Sequence, residues 1–269
     1  MATPSNSSHS GLCAVVLAAG KGTRMNSDLP KVAHEAAGRP LVRWVVEACR
    51  AVGANPVVLV VGHRAEVVRE IFANDSADVR EVPQHQQLGT GHAVLQAEGQ
   101  LLGCGALDCL VLYGDGPLIR PETLRTLVDR HRATSAAATL ATSVIPDPTG
   151  YGRIIRDAAG GFDCIREQKD ASEAERAIRE VNPGYYCFRV SDLVAALHRV
   201  GTANASGEIY LTDVFEILRR DGRHIEVVAA VPPEDVLSVN TPEQLRTVEG
   251  LLLARGRGAA PSVAGKVAR

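Results

Sequence analysis

Residues 17 to 25 read LAAGKGTRM: an apolar run ends in Gly20 and Gly22, with Lys21 and Arg24 beside them and Lys31 further on. Glycines let backbone N–H groups turn toward an anion and cations strengthen that hold, so the chemistry on offer is phosphate binding. Two familiar glycine-rich templates fail on spacing. No Gly-Lys-Ser/Thr stands four residues beyond a first glycine, as a P-loop needs. The third glycine of a dinucleotide fingerprint is replaced by Met25. Taken alone, the stretch describes a tight turn after a buried strand.

Any anion site must be local. With 29 Lys and Arg against 31 Asp and Glu, the formal charge is −2, and no global field favours nucleic acid or an anionic membrane. The six cysteines (Cys13, Cys49, Cys104, Cys109, Cys164, Cys187) include no Cys-x-x-Cys pair and no matching His spacing, which argues against a zinc site or a disulfide framework. That usage suits a reducing cytoplasm. The N-terminal MATPSNSSHSG lacks the basic and apolar regions of a signal peptide, and no run is long enough to span a bilayer, so the expectation is a soluble cytoplasmic protein.

The elements that must position the loop are read from hydrophobic patterning. Short apolar runs alternate with amphipathic stretches, which predicts an α/β chain with a mixed, mainly parallel sheet and helices on both faces. Expected strands are 13–19, 56–62, 78–83, 108–115 and 137–144. Leu41, Trp44, Val45, Ala48 and Val52 recur at helical spacing with Gly53 as a stop, so Trp44 is expected in the core. A second helix is expected over 65–74, and a third, HAVLQAEGQL, with Thr90 as its cap. After residue 145 the pattern turns to short strands, read as antiparallel hairpins attached to the main sheet, where the substrate half is expected. One domain over 12–250 is expected, with residues 1–11 disordered and 251–269 (from LLLARGRG onward) a flexible tail. No hexapeptide repeat encodes a left-handed β-helix.

Six further motifs follow the first loop in order: SDLPKVAHEAAGRPLV (27–42), QHQQLGTGHA (84–93), YGDGPL (113–118), PTGYGRI (148–154), REQKDA (166–171) and GEIYLTD (207–213). Together they resemble the sugar-1-phosphate nucleotidyltransferases, and among these the uridylyltransferase half of the bifunctional N-acetylglucosamine-1-phosphate uridyltransferases. The resemblance covers roughly residues 12 to 250. It implies a Rossmann-like nucleotide-diphosphosugar transferase fold and Mg²⁺-dependent attack of a sugar-1-phosphate on the α-phosphorus of UTP. Without the β-helix, the acetyltransferase activity of the bifunctional relatives is not expected.

The same resemblance assigns residues. Leu17, Ala18, Ala19, Gly20 and Gly22 would cradle the nucleotide, with Arg24 on the departing phosphates and Lys31 on the α-phosphate; Lys21 ranks below these two. Gln84, Gly89 and Thr90 would read uracil, with His92 left to packing. Asp115, at the C-terminal end of a strand, and Asn240, in LSVNTPEQL (237–245), would hold Mg²⁺, which prefers oxygen ligands. Tyr113, Gly114, Gly152, Glu167, Lys169, Asn182 and Tyr210 would receive the sugar phosphate. Three positions depart from the family pattern: Ser238 and Thr241 around Asn240, and Pro183 in EVNPGYYCF (180–188), where proline fixes φ and removes a donor. Pro183 leaves open which sugar is used.

Overall fold

The computed structural model describes residues 11 to 75 and 78 to 256. In chain order the elements are β1 (Leu12–Ala18), β2 (Glu35–Ala36), β3 (Arg39–Pro40), α1 (Leu41–Ala51), β4 (Val57–Val61), α2 (Ala65–Ile71), β5 (Val79–Pro83), α3 (Thr90–Gln96), α4 (Glu98–Gly103), β6 (Asp108–Tyr113), α5 (Pro121–Ala133), β7 (Ala138–Val144), β8 (Gly152–Arg156), β9 (Phe162–Arg166), α6 (Glu173–Arg176), β10 (Glu180–Arg189), α7 (Val190–Leu197), α8 (Asp213–Arg220), β11 (Ile225–Val228) and α9 (Pro242–Ala254). No helix among the described residues is long and apolar enough to cross a membrane.

One sheet runs β11-β7-β10-β6-β1-β4-β5, with β8 on β10 and β9 on β8. Along that path β10 alone runs against its neighbours; every other pairing is parallel. Strands β1 and β4 are apolar on both sides, as strands covered on both faces must be. On one face, Ala14 and Val16 of β1 pack with Val45 and Cys49 of α1 and Leu124 and Leu127 of α5. On the other, Cys13 and Val15 meet Val94 of α3, Leu193 of α7 and Phe215 of α8. A third cluster joins Trp44, Leu118, Val239 and Leu252, fastening α9 to α1 and to the small β2–β3 hairpin, whose Ala36 shares the cluster. The parallel part changes direction of growth at β1 and β6, and the crevice at their C-terminal ends is where open α/β sheets bind ligands.

The expected strands all appear within a few residues of their anticipated ends, and Gly53 closes α1 at φ 82° with its N–H on Arg50 O. Trp44 is core, its Nε1 donating to Ala36 O at 3.1 Å. The structure corrects other details. The second helix ends at Ile71, and the third breaks at Ala97 into α3 and α4. Thr90 is not a cap: Gly89 occupies that position, and the Thr90 hydroxyl accepts the N–H of Leu211 at 3.0 Å. Helix α9 continues to Ala254 with Leu252 buried, so 251–254 belong to the domain rather than to a tail. The expectations for 1–10 and 257–269 lie outside the described residues.

Candidate active site

Close backbone approach builds the site first. Gly114 N–H bonds Leu17 O at 2.9 Å, locking the ends of β1 and β6 together, and a Cβ on Gly114 would meet that oxygen at 3.0 Å. Gly22, at φ 65°, lies so close to the Lys31 stem that a Cβ would fall 2.5 Å from Lys31 Cβ. Only glycine fits there without moving the lysine. Met25 and Val32, both buried, anchor the two short turns that carry Arg24 and Lys31.

Four side chains converge from distant parts of the chain. The Lys31 ammonium pairs with Asp115 Oδ2 and donates to Asn240 Oδ1 at 2.9 Å. Arg24 Nη2 donates to the same Asn240 oxygen at 2.9 Å. The backbone holds this arrangement in place: Val239 N–H bonds Asp115 O at 2.9 Å, tying the Asn240 loop to the end of β6. Asn240 itself is gripped by Gln244 Oε1, which accepts its N–H at 2.8 Å, while Thr241 and Gln244 form the capping box of α9. Both departures around Asn240 therefore have local roles. Thr241 caps the helix, and the Ser238 hydroxyl accepts from Asn240 Nδ2 at 3.2 Å, which turns the amide oxygen toward the cations.

Two cavities meet at Asp115. The first, about 270 Å³, is lined by Leu17, Ala19, Gly20, Lys31, Gln84, Gln87, Gly89, Thr90, Tyr113 and Asp115, among others. The second, about 410 Å³, takes Arg24, Tyr113, Asp115, Tyr151, Gly152, Glu167, Asn182, Pro183, Tyr185 and Asn240. Tyr113 stands between them, and Gly184 lets it lie flat, since a Cβ there would reach the ring at 2.3 Å. Burial, then the nearby Glu167, pushes the Tyr113 hydroxyl pKa up, so it stays a neutral donor.

Within the first cavity Gln84 is buried and its Nε2 donates to Gly89 O at 3.1 Å, with His92 Nδ1 at 3.0 Å. The amide is thus fixed in orientation before any base arrives, and His92 does the fixing. Sequence reasoning passed over Gln87, whose Nε2 donates to Ala19 O at 2.9 Å and bridges the two loops of the cavity. Its place in the QHQQ string was the available signal. Gly89 and Gly91 pack directly on Ile209, which a Cβ at Gly89 would strike at 2.5 Å.

In the second cavity Glu167 accepts from Thr212 Oγ1 at 3.0 Å, and its carboxyl pKa is raised by burial. Asn182 is engaged at both ends: its Oδ1 accepts Gly184 N–H at 3.1 Å and its Nδ2 donates to Tyr186 OH at 2.6 Å. One lone pair and one N–H remain for a ligand. Pro183 falls where β10 shifts register against β7, at a bulge that spares the sheet its missing donor.

The remaining expected residues sit elsewhere. Ala18 is buried at the last position of β1, and Gly22 and Gly114 act through spacing rather than as walls. Lys169 is exposed and its ammonium reaches Ser206 Oγ at 3.1 Å. Tyr210 lines a separate small cavity of about 140 Å³ with Asp170, Asp213 and Glu216; Glu167 borders both that cavity and the second one.

Asp115 Oδ2 and Asn240 Oδ1 share one cation, the Lys31 ammonium. Among the described residues no three His, Cys, Asp or Glu side chains gather as a metal site. Two hard oxygens beside a phosphate-sized crevice fit Mg²⁺, which binds through one or two protein oxygens plus substrate phosphates and keeps several waters.

The profile of the MobA-like NTP transferase domain matches residues 14–183, more than half of the chain. The chain belongs to the MobA-like NTP transferase family. It is 45% identical over 244 residues to the bifunctional protein GlmU of Syntrophomonas wolfei, covering 91% of this chain and 54% of that one. The GlmU of Geobacter metallireducens is 49% identical over 234 residues, covering 87% of this nucleotidyltransferase and 49% of the relative. The chain spans about half the length of the curated relatives it matches. A solved UDP-glucose pyrophosphorylase, complexed with UDP-glucose, superposes with a TM-score of 0.73 over 90% of this chain and 98% of that one; at 17% identity it establishes the fold.

Proposed function

We propose that this nucleotidyltransferase moves the uridylyl group of UTP onto N-acetylglucosamine-1-phosphate, releasing pyrophosphate and UDP-N-acetylglucosamine in one direct displacement. One observation carries the reading: Arg24, Lys31, Asp115 and Asn240 gather where the two cavities meet. The first cavity suits a nucleotide and the second a sugar phosphate, with the reacting atoms between.

The nucleophile is a phosphate oxygen, already an anion, so no side chain need take its proton. The obstacle is repulsion: one unit-charge pair at 4 Å costs about 4 kcal/mol at an effective dielectric of 20. Lys31, steered by Asn240, puts a cation at the junction and would exchange its carboxylate partner for the α-phosphate. Arg24, exposed and bonded to Asn240, would leave that bond to follow the departing pyrophosphate. Mg²⁺ held by Asp115 and Asn240 would supply further neutralisation of phosphate charge. Gln84, with its nitrogen committed to Gly89 O, turns its oxygen to the imide N–H of uracil. The GlmU relatives support the choice of sugar. Pro183 in the wall of the second cavity favours a second reading, in which another hexose- or hexosamine-1-phosphate is used.

Pyrophosphate release across a panel of nucleoside triphosphates and sugar-1-phosphates separates these readings. Highest kcat/KM with UTP and N-acetylglucosamine-1-phosphate supports the first, and preference for another sugar moves the assignment to the second. Tight UTP binding without turnover on any sugar phosphate overturns both and leaves a nucleotide-sugar sensor.

A further inference from the structure

Arg153 heads the fully buried large side chains, at 1% exposure. Its guanidinium donates to three neutral acceptors: Nη1 to Tyr151 O, Nη2 to Gln168 Oε1 at 2.9 Å, and Nε and Nη2 to Arg176 O at 3.3 and 3.2 Å. None of these partners is a carboxylate. Burial, then the neighbouring Arg176, pushes its pKa down. Asp147 acts on it through space only, and a buried charge without a directly bonded counter-ion is costly; an apolar side chain of similar length would fill the space at less expense.

What the apolar side chain lacks is the planar fork of five donors. That fork joins three segments: the loop entering β8 at Tyr151, the turn after β9 at Gln168, and the end of α6 at Arg176. Gln168 extends the bridge, since its Oε1 also accepts Gly150 N–H at 3.1 Å. The joined segments supply Thr149, Gly150, Tyr151, Gly152 and Glu167 to the second cavity. Gly150, at φ 90°, has no heavy atom within 4 Å of where a Cβ would stand, so nothing packs on the loop at that residue and its N–H tie to Gln168 holds it; the next residue, Tyr151, packs on the core and donates its hydroxyl to Val236 O at 3.3 Å.

We propose that Arg153, acting through Gln168, is the positioning residue of the sugar-phosphate cavity, fixing residues 148–151 against β8 and β9 before the ligand arrives. The inference rests on the transfer reading for the identity of that ligand. It touches no reacting atom, so its effect should fall on sugar-phosphate binding and leave the nucleotide side alone.

The test is steady-state kinetics of the full chain as wild type, R153Q, R153K and Q168M, with separate KM values for UTP and N-acetylglucosamine-1-phosphate and melting curves to check folding. Expected are a rise in sugar-phosphate KM of about tenfold in R153Q and about threefold in Q168M, with kcat and the KM for UTP within about twofold of wild type. R153K keeps the charge without the fork and should resemble R153Q. Equal rises in both KM values, an unchanged sugar-phosphate KM in Q168M, or full rescue by lysine overturns the proposal. If the Arg153 variants do not fold, Q168M decides, because Gln168 is only half-buried. Wild type inactive on every sugar phosphate overturns the transfer reading instead. The bridge is then decided by hydrogen exchange at the Gly150 amide: faster by about tenfold or more in Q168M supports it, and equal exchange overturns it.

Discussion

Replacing Lys31 with glutamine removes the ammonium that touches both Asp115 and Asn240. The pair is mostly shielded, with 16% and 14% of the two side chains exposed, so the charge acts through an effective dielectric well below that of water. A cation lost from about 4 Å beside the developing charge is worth about 4 kcal/mol at a dielectric of 20, roughly three powers of ten in rate. The glutamine amide and water recover part of this, so the expected fall in kcat is about 10²- to 10³-fold. The variant also strands the Asp115 carboxylate, lowering the stability of the free protein by about 1 kcal/mol, and added Mg²⁺ with UTP should restore it. Single-turnover pyrophosphate release at saturating UTP isolates the chemical step from binding. A folded K31Q protein with kcat within tenfold of wild type would refute the argument, because no cation at the junction would then be needed.

Asp115→Asn should abolish most Mg²⁺-dependent turnover, by about 10²-fold or more, while leaving the melting temperature nearly unchanged; a magnesium titration with parallel melts checks both. Gly22→Ala forces a Cβ to within 2.5 Å of Lys31 Cβ at φ 65°, so the lysine must shift. The expected cost is about tenfold to a hundredfold in kcat, read by the same pyrophosphate assay. Asp213 has its carboxyl raised from 3.8 to about 6 by burial, then by Glu216 and Asp170. Its folded pKa exceeds its unfolded one, so its contribution to stability is complete below pH 3.8 and is lost as pH rises through about 6. Asp213→Asn removes that loss: urea unfolding should show a gain of about 1–2 kcal/mol near pH 8 after discounting for partial exposure, and little difference near pH 4.

Much of this fold was legible because strong local signals agreed with the tertiary arrangement. The runs of β1 and β4 are apolar throughout, and that of β6 from Cys109 to Leu112, because both sheet faces are covered, and α1 pairs a clear apolar stripe with Gly53. Helices α5, α7, α8 and α9 are not among the expected elements, although Pro121 at the start of α5 and the Thr241–Gln244 capping box are sequence-level starts. The place of β10 between β6 and β7 has no local signal, because pairing partners far apart in the chain are chosen by packing.

The site divided along similar lines. Arg24, Lys31, Asp115 and Asn240 sit in motifs and meet in space. Lys169 and Tyr210 sit in motifs too, yet the turn after β9 and the segment before α8 carry them away from the second cavity. Nothing in the PTGYGRI motif marks Arg153 as buried; its hydrogen bonds to Gln168 and Arg176, far along the chain, are not revealed by periodicity. Ser238 read as a departure, and only its hydrogen bond to Asn240 shows its use.

Direct transfer at the junction of the two cavities is tested by isotope exchange. The enzyme is incubated with UTP, Mg²⁺ and labelled pyrophosphate, with and without UDP-N-acetylglucosamine. Label should enter UTP only when the nucleotide sugar is present, through reversal of the complete displacement. Label entering UTP from pyrophosphate alone would require a uridylylated side chain, and would contradict a site built from charge neutralisation and alignment.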